Sequence, residues 1–151
     1  MVVYMFSSLK RNIIKMFREV LVYHSKSLEY RAKILTLMVT SDRKISECEH
    51  QKLEEIADSI YSDDKQRANL LVDTVYEYHN KIIHDNGLGY QHLIQIVSKE
   101  TRETKRFCKK IDKDILLKLH DCMQESKNED EILFQKRVME FLLELKNECS
   151  L

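Results

Sequence analysis

Proline is absent from this 151-residue chain and glycine occurs only twice. An all-β chain of this length would need many tight turns, and those turns demand such residues. Long helices joined by short polar connections need almost none. Charge of one sign is missing too: 25 lysines and arginines offset 25 aspartates and glutamates, so the net charge is zero. A nucleic-acid binder usually carries a basic excess to neutralise phosphates, and no global excess exists. No unbroken apolar run is long enough to span a bilayer or to form the core of a secretory signal. The sequence also has no phosphate-binding or dinucleotide-binding glycine fingerprint, no H-E-x-x-H and no G-x-S-x-G.

What remains is 43 % hydrophobic and 33 % charged residues, a normal balance for one helical domain with a heavily charged surface. Phe6, Leu9, Ile13, Met16, Phe17 and Val20 recur at helical spacing between Lys10, Arg11, Lys15 and Arg18. Residues 1–24 thus read as an added amphipathic helix, of a kind that can also touch an anionic membrane peripherally. Leu28, Ala32, Leu35 and Val39 mark a second helix, which stops in the polar Thr40-Ser41-Asp42-Arg43-Lys44. Ser46-Glu47-Cys48-Glu49 spells a capping box for a third, continued by Leu53, Ile56 and Ile60. Ser62-Asp63-Asp64 opens a fourth, with Leu71, Val75, Tyr78 and Ile82 on one face, ending before Asn86-Gly87-Leu88-Gly89. A fifth begins near Tyr90 with Leu93, Ile96 and Val97, and the all-polar stretch 98–106 reads as exposed helix or loop. Phe107 or Ile111, Ile115, Leu119 and Cys122 form the sixth stripe. Asn128 with Glu131 starts the last, in which Phe134, Val138, Phe141 and Leu145 are the expected buried face. The expectation is all-α: about seven helices in a single bundle-like domain over 1–151.

Cys48, Cys108, Cys122 and Cys149 are scattered and form no C-x-x-C. They read as buried reduced thiols, and hence as pointing to a cytoplasmic setting. Lys105, Arg106, Lys109 and Lys110 cluster, but Glu100, Glu103, Asp112 and Asp114 flank them, so the run reads as a solvated helix face. Tyr76, Tyr78 and Tyr90 read as lining the core.

The stretch 32–60, AKILTLMVTSDRKISECEHQKLEEIADSI, resembles the first half of the tellurite-resistance TerB-like domains. That family's signature is an apolar helix, a short Asp-Gly turn, a hydrophobic residue, a polar pair and a glutamate opening the next helix. Asp42, Ile45, Ser46 and Glu49 stand at the matching positions. The stretch 116–145, LKLHDCMQESKNEDEILFQKRVMEFLLEL, is similar to the unit's second copy. Arg43 replaces the glycine of the first turn, and Gln124 stands where the second aspartate would fall if Glu131 is the motif glutamate. The resemblance implies a non-catalytic helical module that binds a protein partner in a bacterial stress or tellurite-resistance-type system. It also implies that Asp42 and Glu49 could hold a divalent cation. Both residues have a simpler reading, Asp42 as a turn residue and Glu49 as a cap, and two carboxylates are too few for a hard cation.

An enzymatic alternative rests on two His-Asp pairs, His84-Asp85 and His120-Asp121. A metal-dependent phosphohydrolase of HD type built on His84, Asp85 and Asp121 would need these side chains to converge on a metal-bound water. Against it, His84 falls at a helix C-terminus, where the helix dipole alone favours histidine, and His120 reads as a packing residue.

Overall fold

The computed structural model describes residues 26–40, 44–84 and 89–150. Among them lie six α-helices and no strand: α1 (Lys26–Val39), α2 (Glu47–Ile60), α3 (Lys65–Ile83), α4 (Tyr90–Glu103), α5 (Lys113–Asp121) and α6 (Glu129–Ser150). Two 3₁₀ turns, Lys105–Lys110 and Cys122–Glu125, precede and follow α5. About seven helices were expected from the sequence. The amphipathic segment 1–24 is outside the described residues, as are Asp42, Arg43 and Asp85. No helix among the described residues is long and apolar enough to cross a membrane.

The start signals act as the sequence spells them. The Ser46 hydroxyl accepts from the Glu49 amide at 3.1 Å, and the Glu49 carboxylate accepts from the Ser46 amide at 3.2 Å. Asp64 caps α3 by accepting from the Arg67 amide at 3.0 Å. Asn128 accepts from the amides of Asp130 and Glu131 at the head of α6. Each cap satisfies donors that a helix start otherwise leaves to water.

Helix α1 is the axis of the domain. Leu28, Tyr30, Ala32, Ile34, Leu35, Thr36, Leu37, Met38 and Val39 are all buried, so its second half is enclosed around the whole circumference rather than along one stripe. It packs against α2's partner α3, against α4, and against both α5 and α6. Burying a helix end in this way strands its last carbonyls. Two side chains from elsewhere meet them: the Tyr90 hydroxyl donates to the Leu37 carbonyl at 2.6 Å, and Gln135 Nε2 donates to the Met38 carbonyl at 2.7 Å. The Thr36 hydroxyl, also buried, turns back to the Ala32 carbonyl.

Three expectations need correction. The stretch 98–106, read as exposed helix or loop, is helical to Glu103, but Thr101 within it is fully buried. Its hydroxyl donates to the Val97 carbonyl, which leaves the Tyr30 hydroxyl as the donor across the 2.6 Å contact between them. In α6 the buried face is Gln135, Val138, Leu142 and Leu145, while Phe134 is 42 % exposed and Phe141 only half-buried. A buried glutamine with two fixed partners sets that register, and a hydrophobicity pattern cannot see it. Third, all four cysteines are paired: Cys48 with Cys122 and Cys108 with Cys149, with Cα–Cα separations of 5.7 and 6.0 Å. These distances suit disulfides. Folding brings together sulfurs 74 and 41 residues apart, a proximity the scattered spacing conceals. The pairing removes the argument from free thiols to a reducing compartment.

Candidate functional site

The Cys48–Cys122 bridge joins the first turn of α2 to the end of α5. It therefore sets the capping box of α2 beside the 3₁₀ turn that follows α5. Around this junction the structure collects polar side chains that the sequence disperses.

Glu49 is buried, with one carboxylate oxygen held by the cap. One residue on, His50 Nδ1 meets the Tyr76 hydroxyl at 2.6 Å, and His50 Nε2 meets Glu54 at 2.9 Å. Burial, then the carboxylates of Glu49 and Glu54, push the Tyr76 hydroxyl above the ordinary tyrosine value. With a neutral imidazole, the Tyr76 hydroxyl donates to Nδ1 and Nε2–H donates to Glu54. The order is that of a relay, tyrosine to imidazole to carboxylate. Its chemistry is weak at the tyrosine end, because a nucleophile or base there would need a lowered value. Glu54, at 58 % side-chain exposure, faces water at the other end. On α3, one turn from Tyr76, His79 is buried with Nδ1 at 3.2 Å from the Thr40 hydroxyl.

The residues expected to act lie as follows. Glu49 is at this junction in its capping role, and its proposed companion Asp42 is outside the described residues. His84 is exposed at the C-cap of α3, with its backbone amide bonded to the Asn80 carbonyl. Asp121 is exposed at the end of α5, and Asp85 is outside the described residues. His120 Nδ1 pairs with Gln135 Oε1 at 2.8 Å. Since Gln135 Nε2 donates to Met38, Oε1 accepts and the proton sits on His120 Nδ1. That imidazole is tied into the packing of α5 on α6. Among the described residues no group of three or more histidines, cysteines, aspartates or glutamates converges as metal ligands would.

Two surface features were not foreseen. Leu133 and Phe134, neighbours at the head of α6, are 47 % and 42 % exposed. The Phe134 ring lies 5.3 Å from that of Tyr90. A hollow of about 370 Å³ is bounded by Arg102, Lys105, Leu145, Glu148 and Cys149, the half-buried member of the Cys108–Cys149 pair. Phe134 falls on the helical stripe that the sequence places in the core, and only the polar demand of Gln135 signals its exposure. No family model, curated protein or solved structure matches the chain.

Proposed function

We propose that the chain is a non-catalytic helical module of the TerB-like kind that docks a protein partner, as a component of a bacterial stress or tellurite-resistance-type system. The observation that carries the reading is the pair Leu133 and Phe134. Single exposed apolar residues are ordinary. Two large ones at consecutive positions of a helix, with Tyr90 packed on the second, offer the kind of apolar anchor that partner surfaces bury. The meeting of stretches 32–60 and 116–145 at Cys48 and Cys122 supports the family resemblance, because the two stretches that resemble the motif then pack together.

Affinity purification of the tagged chain from its native host tests the proposal. A protein recovered in near-equal amount with the wild type, and lost with Leu133→Glu and Phe134→Glu variants that keep their helical circular dichroism, is the expected outcome. Equal recovery by the wild type and both variants would contradict it.

A further inference from the structure

The basic run 105–110 is part of a larger grouping drawn from several elements. The Tyr30 ring of α1 stacks on Phe107 of the first 3₁₀ turn, with centroids 4.4 Å apart. That contact packs α1 on the turn, and the charges of Arg31 and Arg106 both act on the Lys110 ammonium. The Arg106 guanidinium rests over the Phe107 ring at 5.4 Å. Tyr61, at the end of α2, feels both Arg31 and Arg67, and the Arg67 guanidinium stands 6.0 Å from its ring. Asp64 is the acid at this margin, 3.9 Å from Arg67. Among the described residues no carboxylate pairs with Arg31, Arg106 or Lys110. Arg31 Nε is buried there without a hydrogen-bond partner.

An unmatched buried guanidinium N–H is costly, and gathering further cations beside it adds repulsion. Among the described residues the Phe107 ring offsets part of this for Arg106, but no acceptor meets Arg31 Nε. We propose that Arg31, Arg106 and Lys110, with Tyr61 and Arg67 at the margin, form a binding site for a phosphate-bearing anion. Two guanidinium forks and an ammonium supply more donors than one carboxylate can accept, whereas a phosphate dianion presents oxygens to all three. The Lys110 ammonium is held below the ordinary lysine value, first by burial and then by Arg31 and Arg106. An anion among them reverses the last two influences. The inference does not rest on the docking surface of α6.

Isothermal titration calorimetry of the full chain with inorganic phosphate and pyrophosphate, against sodium chloride at matched ionic strength, tests the soluble form of this ligand. Sedimentation with phosphatidylcholine vesicles, with and without phosphatidic acid, tests a lipid headgroup. The expected result is saturable binding in at least one arm, weakened roughly tenfold by Arg31→Gln or Lys110→Gln, the worth of one charge-assisted hydrogen bond. The exposed Lys99→Gln control should bind as the wild type does. Binding to pyrophosphate identifies a soluble ligand, and binding to phosphatidic acid vesicles alone identifies a headgroup. Both uphold the site. Binding in neither arm, or binding that Lys110→Gln leaves unchanged, overturns it. Lys110 sits on a surface turn, so its variant keeps the test decisive should Arg31→Gln fail to fold.

Discussion

Gln135→Leu is the sharpest probe of how the core is held. Gln135 is fully buried, and its amide binds the Met38 carbonyl at 2.7 Å and His120 Nδ1 at 2.8 Å. Leucine fills much the same space, so the substitution isolates the polar term from the cavity term. Two bonds vanish. The half-exposed His120 can turn to water, but the α1 terminus, walled in by α4 and α6, loses a bond that water replaces poorly. A cost of about 2 kcal/mol follows from typical values for hydrogen bonds whose partner stays buried. For a chain of this length each kcal/mol moves the melting temperature by about 3 °C, so a fall of about 6 °C is expected. Urea titration followed by circular dichroism measures the free energy, and calorimetry measures the melting temperature. A cycle with His120→Ala adds specificity, since contacting residues of one network should show a coupling of about 0.5 kcal/mol or more. A Gln135→Leu variant as stable as the wild type, or strict additivity with His120→Ala, would refute the bridge.

Other predictions follow from the same contacts. Burial pushes the Tyr30 and Tyr78 hydroxyls up to about 12 and Tyr90 higher still. The unfolded chain releases these protons near pH 10, so their contribution is intact below about pH 10 and is lost as pH rises toward the folded values. Urea midpoints should fall between about pH 10 and 12, less steeply in Tyr30→Phe, and a flat profile there would contradict the burial. Closing loops of 74 and 41 residues, the two disulfides should each stabilise by up to about 4 kcal/mol through the unfolded state. Purified under oxidising conditions, the chain should resist thiol alkylation until reduced and should melt at lower temperature afterwards. Labelling of four thiols in the folded, unreduced protein would overturn the pairing.

The all-α class was legible because it follows from local chemistry: no proline, scarce glycine, and caps whose partners lie three residues away, such as Ser46 with Glu49. The elements that escaped depend on partners far along the chain. Thr101 looks exposed in a polar stretch because Tyr30, which buries it, is 71 residues distant. Phe134 takes the core position in a hydrophobicity pattern, and Gln135 displaces it only because Met38 and His120 demand a polar side chain. Cys48 and Cys122 carry no spacing signal at a separation of 74. The basic run 105–110 announced its charge but not its neighbour Arg31, which arrives through the stacking of Tyr30 on Phe107. Of the acidic-turn residues, the sequence located Glu49 and its cap, whereas the His50–Tyr76 relay around it appears only once α3 lies against α2.

The central claim, that this helical module works by docking a protein through the head of α6, is tested most directly in the cell. A photo-crosslinking amino acid placed at Leu133 in the native host should yield one discrete crosslinked species upon irradiation, with none from the same probe at the exposed Lys99. Absence of a crosslink at Leu133, or an equal yield at Lys99, would contradict the account.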